Sequence, residues 1–264
     1  MSKLAASLNY TRDVGEVLFY NRVRANPLQS RIAGEAATVV RQARFHAHAK
    51  IANLDLGDIC SQLSDTPVEA VALPGPRAFD GVGNTTYYHA IGAITRAVNP
   101  SSVLEFGTYL GMGTLTMALN ARPECRIVTV DLPDEASVGA EHELNEADLD
   151  LIERRRDRVG EAWRRPGIEE RIEQVRADSL VWKAPDDLKG VDLALIDGGH
   201  STPVVKADTE NTFRVLAAGG TILWDDYFHL YPDVVDYLDG LADQGHKLFA
   251  VRGTNLVIAN DRLE

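Results

Sequence analysis

Short apolar runs rich in β-branched residues, separated by stretches with helical periodicity, constrain the fold of this chain most strongly. Two of these runs are Arg126–Asp131 (RIVTVD) and Val191–Ile196 (VDLALI). Strands that are apolar on both faces belong to parallel sheets covered by helices on both sides. The sequence therefore predicts an α/β fold with a doubly wound, Rossmann-like sheet.

The alternation continues through the chain beyond residue 80. We predict helices over 84–98, 111–121, about 139–163, 201–217 and 232–243, and strands over 102–106, 126–131, 172–176, 191–196 and 220–225. The last two runs, 247–251 and 256–259, are separated by four residues, which suits an antiparallel hairpin. The predicted sheet is thus mostly parallel with a C-terminal antiparallel hairpin.

The first third of the chain has a different pattern. Residues 12–51 carry apolar side chains at helical spacing, and residues 52–83 contain clustered proline and glycine. The first pattern predicts a helical extension, and the second predicts a connection that wraps the surface or covers a site. We place a domain boundary near residue 80, so that 1–80 form a lid or a dimer contact and 81–264 form the ligand-binding domain.

The composition limits the partners of the protein. The 264 residues include 27 Lys and Arg against 39 Asp and Glu, a formal net charge of -12. Such a field repels phosphate backbones and anionic membrane surfaces, so we expect neither nucleic acid nor a membrane as a partner. Because no stretch approaches the roughly 20 apolar residues that span a bilayer and no signal-peptide core is evident, we expect a cytoplasmic protein.

A strand, a glycine loop and a helix follow one another in Ser102–Thr114 (SVLEFGTYLGMGT). Gly107 permits close approach of the backbone to a ligand, while Gly111 and Gly113 permit a tight turn that presents the amides of a helix N-terminus. Asp131 lies 24 residues after Gly107, at the end of the next strand, where a carboxylate can accept both ribose hydroxyls. The pattern predicts an adenosine-containing ligand, and its alternative is an ordinary strand-to-helix turn.

Two residues favour S-adenosylmethionine over a dinucleotide as this ligand. Thr116 stands where a dinucleotide fingerprint needs its third glycine for helix packing. Glu105, just before the loop, suits a ligand that carries an ammonium group better than one that carries a pyrophosphate.

The segment Glu105–Gly113 (EFGTYLGMG) resembles motif I of class I S-adenosylmethionine-dependent methyltransferases, especially the catechol-type and macrocin-type O-methyltransferases. The resemblance spans about residues 84–260. It implies that Asp131 holds the ribose and that Asp178 meets the adenine amino group, with a turn cap as the alternative role of Asp178. The cofactor-binding residues that it implies are Glu105, Gly107, Thr108, Gly111, Gly113, Thr114, Asp131, Asp178, Ser179 and Asp197.

Three acids stand at the ends of two strands that we expect to be neighbours, Asp197 after one and Asp225 and Asp226 after the other. Because the carboxyl ends of parallel strands share the ligand crevice, these carboxylates converge and repel one another unless they are neutralised. A hard divalent ion such as Mg²⁺ relieves this repulsion. The resemblance likewise implies a metal here that holds an acceptor hydroxyl, although the catechol type usually has Asp-Asn where this chain has Asp-Asp. Acids that only cap or hydrogen-bond, without a metal, are the alternative.

His200 lies three residues after Asp197, where catechol-type enzymes carry a lysine that removes the acceptor proton. An imidazole with a pKa near neutrality suits a general base, so we favour His200 over His229 for this role. His200 and Asp197 are the predicted catalytic residues. Tyr87 and Tyr88 are predicted either to line the acceptor pocket or to pack a helix.

The sequence thus predicts an S-adenosylmethionine-dependent methyltransferase that uses a divalent metal, Mg²⁺ foremost, to methylate a hydroxyl of a small molecule. A metal-independent N- or C-methyltransferase is the first alternative. A non-catalytic S-adenosylmethionine-binding module is the second, and a nicotinamide oxidoreductase is the most distant. We also expect the protein to form a homodimer.

Overall fold

The apolar runs of the sequence form one eight-stranded sheet in the computed structural model of the protein. The strands are β1 (Asn53–Leu54), β2 (Ser102–Phe106), β3 (Arg126–Asp131), β4 (Ile172–Arg176), β5 (Val191–Ile196), β6 (Leu216–Trp224), β7 (Phe249–Val251) and β8 (Val257–Ala259). Their order across the sheet is β1-β7-β8-β6-β5-β2-β3-β4. In this sheet β8 runs antiparallel to β6 and β7, and the other neighbours are parallel. The predicted Rossmann-like sheet with its antiparallel hairpin is confirmed.

The structure describes residue 45 and the ranges 48–74, 85–133 and 146–264. The chain divides into two units, Met1–His48 and Ala49–Glu264. The helical extension predicted over 12–51 lies outside the described residues, apart from Phe45 and residues 48–51.

Helices cover both faces of the sheet. Within the described ranges they are α1 (Leu56–Leu63), α2 (Thr85–Val98), α3 (Met112–Asn120), α4 (Glu146–Arg155), α5 (Thr202–Val215) and α6 (Pro232–Asp243). Alternate residues of a strand face opposite sides of a sheet. Leu193 and Leu195 of β5 pack into the core with residues of α1, α2 and α3. On the other side Trp224 of β6 donates from Nε1 to Thr209 Oγ1 of α5 over 3.0 Å.

None of the described helices combines the length and the apolar character that crossing a membrane requires.

Residues 49–74 belong to the sheet-bearing unit. The amide of Ala250 donates to the carbonyl of Ala52 over 2.8 Å, which aligns β1 beside β7. Ile59 and Leu63 of α1 are buried in the core. The stretch predicted as a connection from 52 to 83 therefore contains a strand and a helix, and the predicted division near residue 80 falls inside the second unit.

The predicted helix around 139–163 is confirmed over Glu146–Arg155 and wrong beyond Arg155. α4 ends at Arg155, and the chain turns through Asp157 and Gly160, which both have positive φ. The amide of Gly160 then donates to the carbonyl of Tyr109 over 2.9 Å, and that of Ala162 donates to the carbonyl of Leu110 over 3.0 Å. Docking on the loop after β2 thus replaces further helical turns. Residues 139–145 lie outside the described ranges.

A second difference concerns the junction of α5 and β6. The helix predicted to reach residue 217 ends at Val215, and β6 begins at Leu216 and not at residue 220. Leu216 pairs with Val191 of β5, so the neighbouring strand draws these residues into the sheet. The other predicted strands and helices beyond residue 84 are confirmed, with ends that agree within two residues.

Candidate active site

Four strands of the sheet end at a common edge. Phe106 of β2 pairs with Val130 of β3 and Ile196 of β5, and Ile196 pairs with Trp224 of β6. The residues that come next at this edge are Gly107, Asp131, Asp197 and Asp225. The register of the sheet therefore brings the predicted glycine loop and the predicted acids to one crevice, as expected for the carboxyl ends of parallel strands.

Gly107 is the point of contact between the glycine loop and the acids. Its φ is +90°, and a Cβ atom there would lie 1.7 Å from the carbonyl oxygen of Asp197. Only glycine combines this backbone angle with that approach. The loop after β2 and the turn after β5 are thus in direct backbone contact.

Gly111 begins α3 in a left-handed conformation, with φ of +85°. A Cβ atom there would lie 2.4 Å from Cδ1 of Trp163. The indole of Trp163 is buried and also lies against Gly160. The segment that follows α4 therefore packs against the start of α3, where the predicted helix N-terminal amides lie.

Glu105 is buried beneath the loop and is held by hydroxyl groups. Thr129 Oγ1 donates to Glu105 Oε2 over 2.5 Å, and Thr114 Oγ1 donates to the same oxygen. Thr108 Oγ1 shares a 2.6 Å hydrogen bond with Thr129 Oγ1. Burial raises the pKa of Glu105 to about 7, although the two hydroxyls oppose this shift. The described side-chain hydrogen bonds of Glu105 and Thr114 are thus with one another and with Thr129, while Thr108 Oγ1 also accepts a hydrogen bond from Gln174 Nε2 over 2.9 Å.

Asp131, the predicted ribose ligand, is oriented by backbone amides, including that of Leu132, and by Arg155. The amide of Tyr109 donates to Oδ2 over 2.8 Å, and Arg155 Nη2 lies 3.1 Å from Oδ1. Burial raises the pKa of Asp131, and the charge of Arg155 opposes this shift. A carboxylate has about four lone-pair positions, so these contacts leave acceptor capacity for a further donor.

Asp178 and Ser179 follow β4, at the predicted adenine position. Asp178 Oδ1 accepts the amide of Leu180 over 3.0 Å, which is the turn-capping contact weighed as its alternative role. Beneath them lies Asp208 of α5, which is 1% exposed and hydrogen-bonds with Ser179. Burial raises the pKa of Asp208 to about 7, and its Oδ1 has no hydrogen-bond partner.

Asp197, Asp225 and Asp226 form the acid cluster, a name that we keep for these three residues. One oxygen of each lies within 4.8 Å of the others, and all three side chains are half-buried. Burial, followed by the charges of Asp225 and Asp226, raises the pKa of Asp197 well above its usual value. Burial and the charge of Asp226 raise the pKa of Asp225 to about 8. Asp225 Oδ1 is buried without a hydrogen-bond partner.

Tyr87 of α2 reaches this cluster, although it is 110 residues from Asp197 along the chain. Its hydroxyl donates to Asp197 Oδ2 over 2.8 Å. The ring of Tyr88 lies edge-on to that of Tyr87, with 5.1 Å between their centroids. Of the two roles predicted for these tyrosines, the contact of Tyr87 favours the one in the site.

His200 is held between two carboxylates. Its Nε2 lies 2.7 Å from Asp226 Oδ2, its Nδ1 contacts Asp148 Oδ1, and its ring stacks on Tyr231 at 4.1 Å. Burial lowers the pKa of His200, but the two carboxylates outweigh it and raise the pKa to about 10. An imidazole that donates from both nitrogens has no lone pair for an acceptor proton. The predicted base role therefore requires this ring to release one of its carboxylates.

Four residues of the site have no signal in the local sequence. Asp148 and Arg155 lie in a charged helical stretch, which sequence reasoning interprets as a solvated face. Asp208 and Trp163 likewise occupy positions of ordinary helical composition. Their partners lie on other elements, so sequence spacing alone has no means of pairing them. A buried charge on a predicted exposed face is visible only once the fold is known.

The fold and its site define the class of the protein. A mostly parallel sheet with an antiparallel terminal strand, a glycine loop after the first central strand and acids at the carboxyl edge is the class I methyltransferase architecture. The family described as "Methyltransferase domain" matches residues 104–227, which run from β2 to just past the acid cluster. These residues, just under half of the chain, are similar to a methyltransferase domain.

No curated protein matches the sequence. Solved structures with a similar chain include an O-methyltransferase from Bacillus cereus in complex with SAH, at 14% identity over 70% of this chain and 85% of that one, with a TM-score of 0.44. The SAH-bound methyltransferase PaMTH1 from Podospora anserina is 17% identical over 85% and 94% of the two chains, with a TM-score of 0.49. The O-methyltransferase TomG from Streptomyces achromogenes, which is involved in tomaymycin synthesis and was solved with SAM, is 15% identical over 83% and 94%, with a TM-score of 0.44.

Proposed function

We propose that this protein transfers the methyl group of S-adenosylmethionine to a hydroxyl oxygen of a small molecule, with a divalent cation held by the acid cluster. One observation carries the proposal. Asp197 touches Gly107 of the glycine loop through its backbone and belongs to the acid cluster through its side chain. A methyl donor bound at the loop and an acceptor bound at the cluster are therefore neighbours.

The cofactor half of the site consists of the loop from Gly107 to Gly113 and the carboxylate of Asp131. The loop offers backbone amides at the start of α3, and Asp131 faces the same edge with acceptor capacity for ribose hydroxyls. Glu105 is assigned a supporting role beneath the loop, since its described partners are Thr114 and Thr129. Asp178 and Ser179 are proposed to face the adenine.

The acid cluster has the donor set that a hard cation requires. Carboxylate oxygens are the preferred ligands of Mg²⁺, and three of them converge here. Burial and the repulsion between neighbouring carboxylates raise the pKa values of Asp197 and Asp225, His200 opposes only part of the shift at Asp225, and Asp225 Oδ1 has no hydrogen-bond partner. A cation at Asp197, Asp225 and Asp226 would relieve that repulsion, and it would lower the pKa of a bound acceptor hydroxyl.

The chemical step is a single displacement. The acceptor oxygen forms a bond to the methyl carbon while the carbon–sulfur bond breaks. The electron pair of the broken bond stays on sulfur, which gives S-adenosylhomocysteine. The hydroxyl proton leaves for a base. The chain contributes alignment above all, because holding two reactants in the attacking geometry removes much of the entropic barrier. Tyr87, which donates to Asp197, is placed to order the acceptor side.

His200 has two candidate roles. As the predicted base it would accept the hydroxyl proton, once it has released Asp148 or Asp226. As a positioning residue it would hold Asp226 in the cluster. Its two carboxylate contacts and its stacking on Tyr231 favour the positioning role.

The metal-independent alternative also has an observation in its favour. Tyr87 already donates to Asp197, and His200 already contacts Asp226, so protein groups satisfy part of the cluster. Acids that are held in this way can orient an acceptor without a cation. The predicted roles of residues 1–80 as a lid or a dimer contact, and the predicted cytoplasmic location, stay predictions.

Calorimetry and turnover together test the proposal. We expect the protein to bind S-adenosylhomocysteine and the Asp131→Ala variant to bind it at least tenfold more weakly. We expect mass spectrometry with a panel of catechols, phenols and sugars to detect a mass gain of one methyl group, lost on chelation and in Asp225→Asn. Asp186→Asn, a change of an exposed acid, serves as the control. Transfer that persists under chelation would favour the metal-independent alternative, and folded protein that does not bind S-adenosylhomocysteine would refute the proposal.

A further inference from the structure

Helix α4 buries charged side chains more deeply than the apolar side chains that are described in it. Among its residues whose side chains are described, the buried ones are Asp148 at 4% and Arg155 at 3% exposure. Leu149 is 44% exposed, and Leu151 and Ile152 are only half-buried. Burial of a charged group is costly unless a partner compensates it, so a helix that buries charges in preference to leucines requires an explanation.

The two buried charges share one face of the helix. They are seven residues apart, which is close to two turns at 3.6 residues per turn, and this places them about 10 Å apart along the axis. A rigid helix of this length can thus touch two separate places in the crevice at once.

Each charge contacts a different half of the proposed site. Arg155 Nη2 lies 3.1 Å from Asp131 Oδ1 and donates to the carbonyl of Leu132 over 3.3 Å, on the cofactor side. Asp148 contacts His200 Nδ1, and His200 Nε2 lies 2.7 Å from Asp226 Oδ2, on the acid-cluster side. The side chains of Arg155 and Asp131 are 4% and 9% exposed, and those of His200 and Asp148 are 7% and 5% exposed, so little solvent weakens either pair.

We propose that α4 is a bridge that couples the two halves of the active site, with Arg155 and Asp148 as its positioning residues. Holding Arg155 on Asp131 keeps Asp148 in place against His200 and Asp226, and the reverse also holds. Because the contacts share one rigid helix, loosening one end loosens the other. This inference rests on the proposed function, since it assigns the halves to the methyl donor and to the acceptor.

Cross-effects distinguish a bridge from two local contacts. Asp148 is on the acid-cluster side, yet we expect Asp148→Asn and Asp148→Ala to weaken S-adenosylhomocysteine binding by about fivefold or more, within the usual range of coupling between sites. Arg155 is on the cofactor side, yet we expect Arg155→Lys and Arg155→Leu to shift the NMR signals of the His200 ring nitrogens in the ligand-free protein. The matched control is Arg154→Leu, the same change one position earlier on the exposed face of α4.

A double-mutant cycle completes the test. If both residues act through α4, their losses of affinity should not add. The Asp148→Asn/Arg155→Lys double variant should then bind S-adenosylhomocysteine about as weakly as whichever single variant binds it less tightly. Independent contacts would give additive losses. Additivity, or unchanged binding in both folded Asp148 variants while the wild type binds normally, would overturn the bridge and leave the proposed function standing. A wild type that does not bind S-adenosylhomocysteine would overturn both. The conservative variants keep the test valid if Asp148→Ala or Arg155→Leu fails to fold.

Discussion

At the scale of single residues, Gly107 shows how much structure one position can determine. Its φ of +90° is matched by Gly190, at +89°, where a Cβ atom would meet nothing within 4 Å. At Gly107 the same Cβ atom would lie 1.7 Å from the carbonyl oxygen of Asp197. Comparing Gly190 with Gly107 therefore separates the cost of the left-handed backbone from the cost of the close contact with Asp197.

We expect Gly190→Ala to lower the free energy of unfolding by about 1–2 kcal/mol, the cost of the left-handed conformation alone. Gly107→Ala adds a clash between backbone groups that have no room to yield, so we expect a loss greater than about 4 kcal/mol or a failure to fold. Urea denaturation measures both. Equal losses in the two variants would show that the contact between the loop and Asp197 is looser than described.

The two roles of His200 also differ in what they predict. A positioning role predicts that His200→Gln weakens binding of Mn²⁺, used as a probe for the acid cluster, by roughly 10–100-fold, as for other residues that orient metal ligands. It predicts a kcat at saturating metal within about tenfold of the wild type. A base role predicts a kcat lower by about 10²–10⁴ with unchanged metal affinity. The exposed His229→Gln is the control. We expect the first pattern, because both ring nitrogens contact carboxylates.

Asp208 makes stability depend on pH in a definite direction. Burial raises its pKa from 3.8 to about 7, so the folded protein keeps this proton while the unfolded chain loses it. Wild-type stability should therefore fall as the pH rises from about 4 to about 7, and level off above, by an upper limit of about 4 kcal/mol for this group.

Asp208→Asn removes the titration, so the stability of this variant relative to the wild type should increase over the same pH interval. Other buried acids, such as Glu105, titrate in both proteins and cancel in the difference. Urea denaturation at pH 5 and pH 8 measures it. A difference that does not change with pH would show that Asp208 is ionised in the fold.

At the scale of elements, periodicity in the sequence was sufficient for the central strands and insufficient for α4. The ends of β2, β3 and β5 agree with prediction because each is a short apolar run whose neighbours bury it on both sides. The ends of β4, a half-buried edge strand, agree as well. The helical pattern after residue 155 is overridden by hydrogen bonds from Gly160 and Ala162 to the loop after β2. Contacts between distant segments leave no trace in local periodicity.

The residues of the site also divide into those that the sequence predicts and those that it does not. The glycines and acids at strand ends follow from sequence, since motif and strand position coincide there. Their partners do not follow, because Asp148 is 52 residues from His200 and Tyr87 is 110 residues from Asp197. Sequence reasoning also assigned His200 a pKa near neutrality, and that expectation failed because it did not include the two carboxylates.

The segment 64–74, which we name the strap, is attached to α3 by one side chain. Asn120 accepts the amide of Ala72 over 2.9 Å and donates to the carbonyl of Ala72 over 2.7 Å. Asn120 is 5% exposed, so its removal leaves polar backbone groups of the strap without partners in a mostly buried place. We expect Asn120→Ala to lower the free energy of unfolding by about 2–3 kcal/mol.

The same variant should show faster hydrogen exchange at residues 68–74 than the wild type, since the strap loses its attachment. Ser64→Ala is the matched control, because Ser64 also makes two hydrogen bonds in the strap, with Thr66, but these bonds are exposed to solvent. We expect this control to change stability by less than about 0.5 kcal/mol. Similar effects of the two changes would mean that the strap is held by its apolar contacts.

At the scale of the whole molecule, the two halves of the site should be visible in global stability. A ligand that binds only the folded protein stabilises it by RT ln(1 + [L]/Kd), about 2.7 kcal/mol at one hundred times Kd. For a domain of this size, that is a rise in Tm of roughly 5–10 °C. S-adenosylhomocysteine and Mg²⁺ should each raise the Tm of the wild type.

Variants then show which half of the site is responsible for each rise in Tm. We expect Asp131→Ala to lose the response to S-adenosylhomocysteine and keep the response to Mg²⁺, and Asp225→Asn to show the reverse. Asp225→Asn should also be at least as stable as the wild type without ligand, because burial and then the charge of Asp226 raise the pKa of Asp225 to about 8, so that the folded wild type must keep a proton on Asp225 at neutral pH and the neutral amide has no such cost. Differential scanning calorimetry at neutral pH measures all of these values, with Asp186→Asn as the exposed control. A less stable ligand-free Asp225→Asn would mean that the Asp225 carboxyl makes a structural contact that the amide does not reproduce. That result would argue against Asp225 as a cation ligand.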